Sequence, residues 1–264
     1  MDSESATFLD NALGVAREAA TAAAQVIRRH YETGVAIQIK PDETPVTVAD
    51  LEAETTIKSV LQRAFPDHAF YGEEHGREGD SDYQWLIDPI DGTKAFVRGY
   101  PMFSTQIALM YRGELLLGVS SAPVYGELAW ARRGAGAFLN GTSIHVSDRQ
   151  QFDAGTAISI GNVKTLTRNP VHWNALGELI QRSGRIRGYG DFLHYHLLAR
   201  GCIDLVIESD VNILDIAALA IIVREAGGVF TDLAGDALTL DTTSALAGTA
   251  ALHAQALRLG LGVA

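Results

Sequence analysis

The sequence predicts an α/β chain, with α+β character in its first half. Three observations predict this class. Small and apolar residues recur near the start at steps of three and four, as on one face of a helix. Strand-like apolar runs then follow one another at hairpin spacing up to Arg132, which indicates helices over an antiparallel sheet. After Asp153 strands alternate with helical patterns, which indicates crossover units.

The first two elements are predicted to be helices. One runs over Phe8 to Tyr31, and the alanines on its apolar stripe imply close packing. The other begins after Thr47, whose side chain is placed to cap it, and continues to about Ala64. Pro66 ends this second helix, and Asp50 lies in its first turn.

The same patterns predict the remaining elements. The strands of the first half are Tyr83 to Ile87, Thr105 to Tyr111, Glu114 to Ser120 and Glu127 to Arg132. The second half contains strands at Thr156 to Ile160 and Ile203 to Glu208, and helices at Val171 to Arg182, Phe192 to Arg200 and Ile213 to Ala226. No linker rich in Pro, Gly or Ser separates the halves, so residues 1–153 and 154–264 are expected to share one interface.

Composition and charge narrow the function classes. The 264 residues are 47% hydrophobic and 20% charged, as in globular proteins. A net charge of -11 repels polyanions, so no nucleic-acid partner is expected. The single Cys202 excludes an internal disulfide, the start Met1 to Glu4 lacks the features of a secretion signal, and no apolar run is long enough to span a membrane. We therefore expect a cytoplasmic protein without membrane contact.

The most informative segment lies at the end of a predicted strand. Asp88 ends the apolar run, Pro89 blocks further pairing, and Asp91 follows with Gly92-Thr93 directly behind it. Two carboxylates so placed suit a hard cation such as Mg²⁺, and backbone N–H groups at a helix start suit an anion. The alternative is a loop in which both acids only cap turns.

Other acids occupy similar places. Glu73 and Glu74 follow the apolar run Ala69 to Tyr71, and Asp215 lies in the first turn of a predicted helix. Each alone is typical of solvated surface or of a helix-start charge. Together they lie where α/β proteins gather the polar residues of a site, so we expect them to join Asp88.

Four motifs, in order along the chain, are similar to those of one family. They are Val46-Thr47-Val48-Ala49-Asp50, Gly72-Glu73-Glu74, Asp88-Pro89-Ile90-Asp91-Gly92-Thr93, and Leu214-Asp215-Ile216-Ala217-Ala218 followed by Glu225-Ala226-Gly227-Gly228. In these residues the sequence resembles the inositol monophosphatase superfamily of Mg²⁺-dependent, Li⁺-sensitive phosphatases. The resemblance implies the sugar-phosphatase fold of alternating helix and sheet layers, and a phosphate monoester substrate.

The resemblance also implies roles for individual residues. The metal ligands would be Glu73, Asp88, the carbonyl of Ile90, Asp91 and Asp215, holding two or three Mg²⁺ per site. Asp50, Glu73 and Thr93 would orient the attacking water. The first half would then carry most ligands, and the second half would carry the last metal ligand and the specificity residues. The segment from Lys40 through Asp42 resembles a loop that closes over a third metal position, and the family implies a homodimer.

Two further stretches resemble the histidinol-phosphate phosphatase branch. They are Gly92 to Pro101, and Gly188 to Phe192 leading to Glu208. L-Histidinol phosphate carries an ammonium and an imidazole beside its phosphate, so its site should contain acids outside the metal cluster. Asp191 and Glu208 are the candidates. The full set of predicted substrate-binding residues is Asp91, Gly92, Thr93, Asp191, Glu208 and Asp215.

Several alternatives stay open. Glu208 could simply end a strand, and Asp191 could cap a helix. An inositol or general sugar monophosphatase would use the same site chemistry, and a regulatory binding protein of the same fold is a third possibility. His194 and His196 are two residues apart in a predicted helix and point to different faces, so we expect structural roles for them instead of a zinc site.

Overall fold

A computed structural model describes residues 3–33, 37–39 and 45–261. Its helices are α1 (Ser3–Thr33), α2 (Val48–Ala64), α3 (Thr93–Val97), α4 (Val163–Leu166), α5 (Pro170–Arg182), α6 (Asp191–Ala199), α7 (Ile213–Glu225) and α8 (Ala250–Ala256), followed by a last helical turn over Leu257–Leu261. The long α1 and the capped start of α2 confirm the two helices predicted first.

The strands form two main sheets and one small pair. The small pair is β1 (Ile37–Ile39) and β2 (Pro45–Thr47). The first main sheet contains β3 (Ala69–Gly72), β4 (Gly76–Glu78), β5 (Tyr83–Asp91), β6 (Ser104–Tyr111), β7 (Glu114–Ala122), β8 (Glu127–Arg132), β9 (Ala137–Leu139) and β10 (Thr142–Ile144). The second contains β11 (Ala157–Gly161), β12 (Arg185–Arg187), β13 (Leu205–Ser209), β14 (Val229–Thr231) and β15 (Ser244–Gly248).

The order of strands corrects the expected all-antiparallel first sheet and confirms the crossover units of the second half. The first sheet runs β10-β9-β8-β7-β6-β5-β3-β4 and is antiparallel except that β3 pairs with β5 in parallel. The reason is that β4 forms a hairpin on the outer side of β3, and the chain then returns past it to β5. The second sheet runs β12-β11-β13-β15-β14, in which β11 pairs in parallel with β12 and β13, and β15 is antiparallel to both of its neighbours.

Helices and sheets alternate in five layers, which confirms the predicted fold class. Helices α1 and α2 cover the outer face of the first sheet, and α6 and α7 lie between the two sheets. Helices α5 and α8 cover the outer face of the second sheet. Alternate residues of β5 show the layering, because Trp85 and Ile87 pack toward α1 while Leu86 packs toward α7.

The central helix α7 lies unusually close to β7. A Cβ atom on Gly118 would come within 2.5 Å of the Ala218 carbonyl oxygen, so only glycine permits this approach. The side chains of α7 are apolar on all sides, as expected for a helix buried between two sheets. This packing fixes the helix start, which carries Asp215, against the first sheet.

Candidate active site

Strand β5 brings two aspartates to one side of the sheet through a bulge. Asp88 pairs with Gln106 and Asp91 pairs with Ser104, so β5 has one residue more than β6 over this stretch. Without the extra residue, side chains three apart would lie on opposite faces of the sheet. The bulge at Pro89 therefore directs both carboxylates to the same face of the sheet, although they are three residues apart.

Helix α7 brings the third carboxylate to the same place. Asp215 is the third residue of the helix and forms a capping box with Asn212, accepting the Asn212 backbone N–H at 2.8 Å. Carboxylate oxygens of Asp88, Asp91 and Asp215 lie within 4.8 Å of one another. This distance suits three ligands of one cation, and we call these three residues the acidic cluster.

The carboxylates of the acidic cluster lie close together without a positive charge to compensate them among the described residues. Burial and the neighbouring acids, Glu73 among them, raise the pKa values of Asp88 and Asp91 well above the ordinary range. The pKa of Asp215 is raised to about 7, mainly by burial. Within the part of the chain that the structure describes, Asp88 Oδ1 is buried and has no hydrogen-bond partner. An orphaned oxygen among repelling carboxylates fits a divalent cation.

Glu73 extends the acidic cluster toward α2. It follows β3 directly, and its backbone N–H donates to the Ile87 carbonyl oxygen at 3.1 Å. Its charge raises the pKa values of Asp88 and Asp215. The strand end therefore places Glu73 beside the acids that the sequence predicted as its partners.

Asp50 and Thr93 form a pair at the edge of this group. Asp50 Oδ2 accepts the backbone N–H of Thr47 at 2.8 Å and its hydroxyl at 2.6 Å, which leaves Oδ1 directed to Thr93. The Thr93 hydroxyl lies 3.4 Å from Asp50 Oδ1 and 3.0 Å from the Ile90 carbonyl oxygen. Burial raises the pKa of Asp50, opposed by the bonds from Thr47. The backbone turns here at Gly92, whose φ of +90° suits glycine.

A second group of acids lies beside the acidic cluster. Glu208 is the penultimate residue of β13 and is buried, and its Oε2 accepts the Tyr195 hydroxyl at 2.7 Å. His194 Nε2 lies 3.0 Å from the same oxygen, and His194 Nδ1 lies 3.3 Å from Ser159 Oγ. If the serine donates to Nδ1, the imidazole donates to the carboxylate. Two protein donors therefore hold Glu208 in place.

Asp191 faces the same cavity without capping its helix. The N-cap of α6 is Gly190, which makes no side-chain capping bond, so the N-capping alternative for Asp191 is wrong. The backbone of Asp191 has a φ of +45°, a left-handed conformation that is uncommon outside glycine. Burial and the nearby Glu208 raise its pKa to about 6. Asp191 and Glu208 line one cavity with Asp91 and Asp215.

Sequence reasoning missed several residues of this cavity. Asn162 and Asp210 line it, and both have left-handed backbone conformations. Tyr195 and His194 also belong here through their bonds to Glu208. The spacing of His194 and His196 predicted that they point to different faces of the helix, and the structure confirms this. His194 lies beside Glu208, whereas His196 bonds to Glu127. No local pattern marks Asn162 or Asp210. The predicted loop Lys40 to Asp42 lies outside the described residues.

Comparison with known proteins adds independent findings. The model of the inositol monophosphatase family matches residues 9–260. The histidinol-phosphatase of Mycobacterium tuberculosis is 41% identical over 207 residues, which cover 75% of this chain and 78% of that protein. Nus factor SuhB of Pasteurella multocida is 38% identical over 84% of this chain and 85% of its own. An IMPase structure from Thermotoga maritima superimposes with a TM-score of 0.82 at 30% identity, covering 96% of both chains.

Proposed function

The chain belongs to the inositol monophosphatase family of phosphatases, and we propose that it hydrolyses L-histidinol phosphate to L-histidinol and phosphate with Mg²⁺. The observation that carries the choice of substrate is the pair Glu208 and Asp191, two acids that line the cavity beside the acidic cluster. The similarity to a histidinol-phosphatase at 41% identity supports the same choice.

The chemistry of the substrate matches this pair. Beside its phosphate ester, L-histidinol phosphate carries an ammonium group and an imidazole. The carboxylate of Glu208, already held by Tyr195 and His194, offers the ammonium a charge-assisted hydrogen bond of about 1.5–3 kcal/mol. A polyol substrate would offer only neutral hydroxyl donors to the same oxygens, and its bonds would be weaker.

The reaction would require the acidic cluster and its neighbours to hold Mg²⁺. The ligands would be Asp88, Asp91 and Asp215 with Glu73 and the carbonyl oxygen of Ile90. Bound Mg²⁺ supplies Lewis-acid stabilisation of the phosphate charge and lowers the pKa of a coordinated water. It would also remove the repulsion among the carboxylates, which otherwise opposes binding of a phosphate dianion.

The water and the phosphate would be positioned by side chains and backbone groups of the protein itself. The Thr93 hydroxyl can donate to Asp50 Oδ1 and use its free lone pair to accept a hydrogen bond from the attacking water. Asp50 would then take up, through the Thr93 hydroxyl, the proton that the water loses, and its raised pKa suits that role. The backbone N–H groups of Gly92 and Thr93 are proposed to receive phosphate oxygens. Direct attack of water gives the products without a covalent enzyme intermediate.

One experiment ranks the possible substrates. Phosphate release from L-histidinol phosphate, inositol 1-phosphate and fructose 1,6-bisphosphate is measured side by side with Mg²⁺. We expect the highest kcat/KM for L-histidinol phosphate. A higher value for either sugar phosphate would overturn the proposed substrate and leave the phosphatase assignment intact. An Asp91→Asn variant serves as the blank for contaminating phosphatases.

Two alternative functions, sugar monophosphate hydrolysis and a regulatory role, are supported by other similarities. The relative from P. multocida is named a Nus factor, and the structural neighbour from T. maritima is named an IMPase. Sugar monophosphate hydrolysis would use the same acidic cluster, so the substrate comparison above decides it. A regulatory role would appear as protein capture by the Asp91→Asn variant, in which catalysis is removed and the surface is kept.

Three further expectations belong to the proposal. We propose a homodimer, which sedimentation would test, and a cytoplasmic location without nucleic-acid binding. None of the helices in the described ranges combines the length and apolarity needed to span a bilayer.

A further inference from the structure

A buried carboxylate one helical turn beyond Asp50 belongs neither to the acidic cluster nor to the substrate cavity. Glu54 is fully buried on α2, on the same face as Asp50 and the apolar residues Ala53 and Ile57. A charged side chain on such a stripe is stable only if it is well hydrogen-bonded. The bonds that it makes therefore indicate its purpose.

The side chain of Glu54 bonds to residues of the loop that carries Glu73. Its Oε2 accepts the backbone N–H of Glu74 at 2.8 Å, and its Oε1 accepts the backbone N–H of His75 at 3.1 Å. The ring Nδ1 of His75 lies 2.8 Å from the same Oε1. The backbone N–H of Glu73 is held separately by the Ile87 carbonyl. Three successive N–H groups around Glu73 are thus fixed.

Gly72 makes room for this arrangement. A Cβ atom at Gly72 would lie 2.0 Å from Glu54 Oε1 and 2.5 Å from its carboxyl carbon. The carboxylate therefore passes directly over the residue that precedes Glu73. Asp50 and Glu54 stand four residues apart on one rigid helix, so the same element sets the positions of Asp50 and of the Glu73 loop.

We propose that Glu54 is a positioning residue, which holds the Gly72–His75 loop so that the Glu73 carboxylate faces the metal ligands. The inference rests on the proposed function, because it requires that Glu73 contacts a bound cation. It assigns no contact between Glu54 and the cation or the substrate. Residues that orient metal ligands in this way commonly change metal affinity by about 10- to 100-fold when replaced.

The test is Mg²⁺ binding by titration calorimetry without substrate, in the full chain and in Glu54→Gln. The amide has one acceptor oxygen, and its NH₂ group would face backbone donors, so the loop loses part of its support. We expect affinity to fall by about 10- to 100-fold, and high Mg²⁺ to restore much of the lost activity. Glu52→Gln is the matched control, since Glu52 lies on the same helix but pairs with Arg29 and His30 of α1. We expect that control to remain within about twofold of the wild type.

The outcomes separate the two proposals. A folded Glu54→Gln variant with wild-type Mg²⁺ affinity would overturn the role of Glu54 and leave the proposed function standing. A wild-type chain that binds no Mg²⁺ would overturn both. If the variant does not fold, amide hydrogen exchange of the wild type decides. The amides of Glu74 and His75 should exchange at least about 100-fold more slowly than those of the exposed residues Gly79 and Asp80, and equal rates would overturn the inference.

Discussion

The acidic cluster and the Glu208 group are neighbours, yet they satisfy their charges in opposite ways. In the acidic cluster, Asp88 Oδ1 is buried without a partner among the described residues, and burial together with the neighbouring acids raises the pKa values of Asp88 and Asp91. Glu208 instead receives hydrogen bonds from Tyr195 and His194. The charges of the first region therefore lack a partner that a cation could supply, whereas those of the second are already hydrogen-bonded by the protein, and we propose that this second region binds the ammonium group of the substrate.

The largest expected effect comes from breaking the acidic cluster. Replacing Asp91 with Asn removes one ligand, and with it several kcal/mol of charge stabilisation, so kcat/KM should fall by about 10³-fold or more. The same change removes a buried like charge, so the metal-free variant should melt at a higher temperature than the metal-free wild type. Steady-state kinetics and thermal melting check the two effects.

Asp82→Asn is the matched control for this change, because Asp82 is exposed and pairs with Arg112 on the surface. It should retain wild-type activity. An Asp91→Asn protein with more than about a tenth of wild-type kcat/KM would show that the cluster is not the reaction centre.

The next largest effect is expected on substrate binding, from replacing Glu208. Glu208→Gln keeps the shape of the side chain but removes its charge, so the bond to ammonium loses about 1.5–3 kcal/mol. KM for L-histidinol phosphate should rise by about 10- to 100-fold, and KM for inositol 1-phosphate should change much less. Equal changes for both substrates would sink the assignment of Glu208 to the ammonium group.

Glu127→Gln controls for the loss of a partly buried acid that bonds to α6. Glu127 also bonds to a histidine of α6, His196 at 2.8 Å, and to Arg200 at 3.0 Å, but it lies away from the substrate cavity. We expect this variant to lose stability without any change in the ratio of the two KM values.

The smallest expected effect is a pH dependence that arises from Asp191. Burial and Glu208 raise the pKa of Asp191 to about 6, so its carboxylate is ionised above that pH and becomes neutral below it. Its attraction for ammonium is therefore present at neutral pH and is lost as the pH falls through about 6. KM for L-histidinol phosphate should rise on acidification, as measured between pH values on either side of 6.

Asp191→Asn is the reference for this measurement, because the phosphate and imidazole of the substrate titrate in both proteins. The wild-type to variant ratio of KM isolates the contribution of Asp191. A ratio that does not change with pH would contradict the role given to Asp191.

The sequence predicted the acidic cluster better than the Glu208 group, for a physical reason. Asp88 and Asp91 are set by a local bulge at Pro89, and Asp215 by a capping box, which short-range patterns reveal. Asp50 follows the same rule, since it closes a capping box with Thr47. In each case a few neighbouring residues determine the local structure that orients the carboxylate.

The parts of the site that the sequence did not predict depend on packing between segments far apart in the chain. The bond from His194 to Glu208 joins α6 to β13, and the support of Glu54 for the Glu73 loop joins α2 to β3. The parallel pairing of β3 with β5 is likewise set by the path through β4. No periodicity within one segment encodes such contacts, which explains why Asn162 and Asp210 escaped notice.

The most direct test of the account is the melting temperature of the metal-free protein with increasing Mg²⁺. Binding to the folded state alone should add about 2.7 kcal/mol at a hundred times Kd. At about 2–4 °C per kcal/mol for a chain of this size, the melting temperature should rise by about 5–10 °C. Na⁺ at the same ionic strength should not reproduce the rise. A melting curve unchanged by millimolar Mg²⁺ would contradict the claim that these buried acids form a metal site.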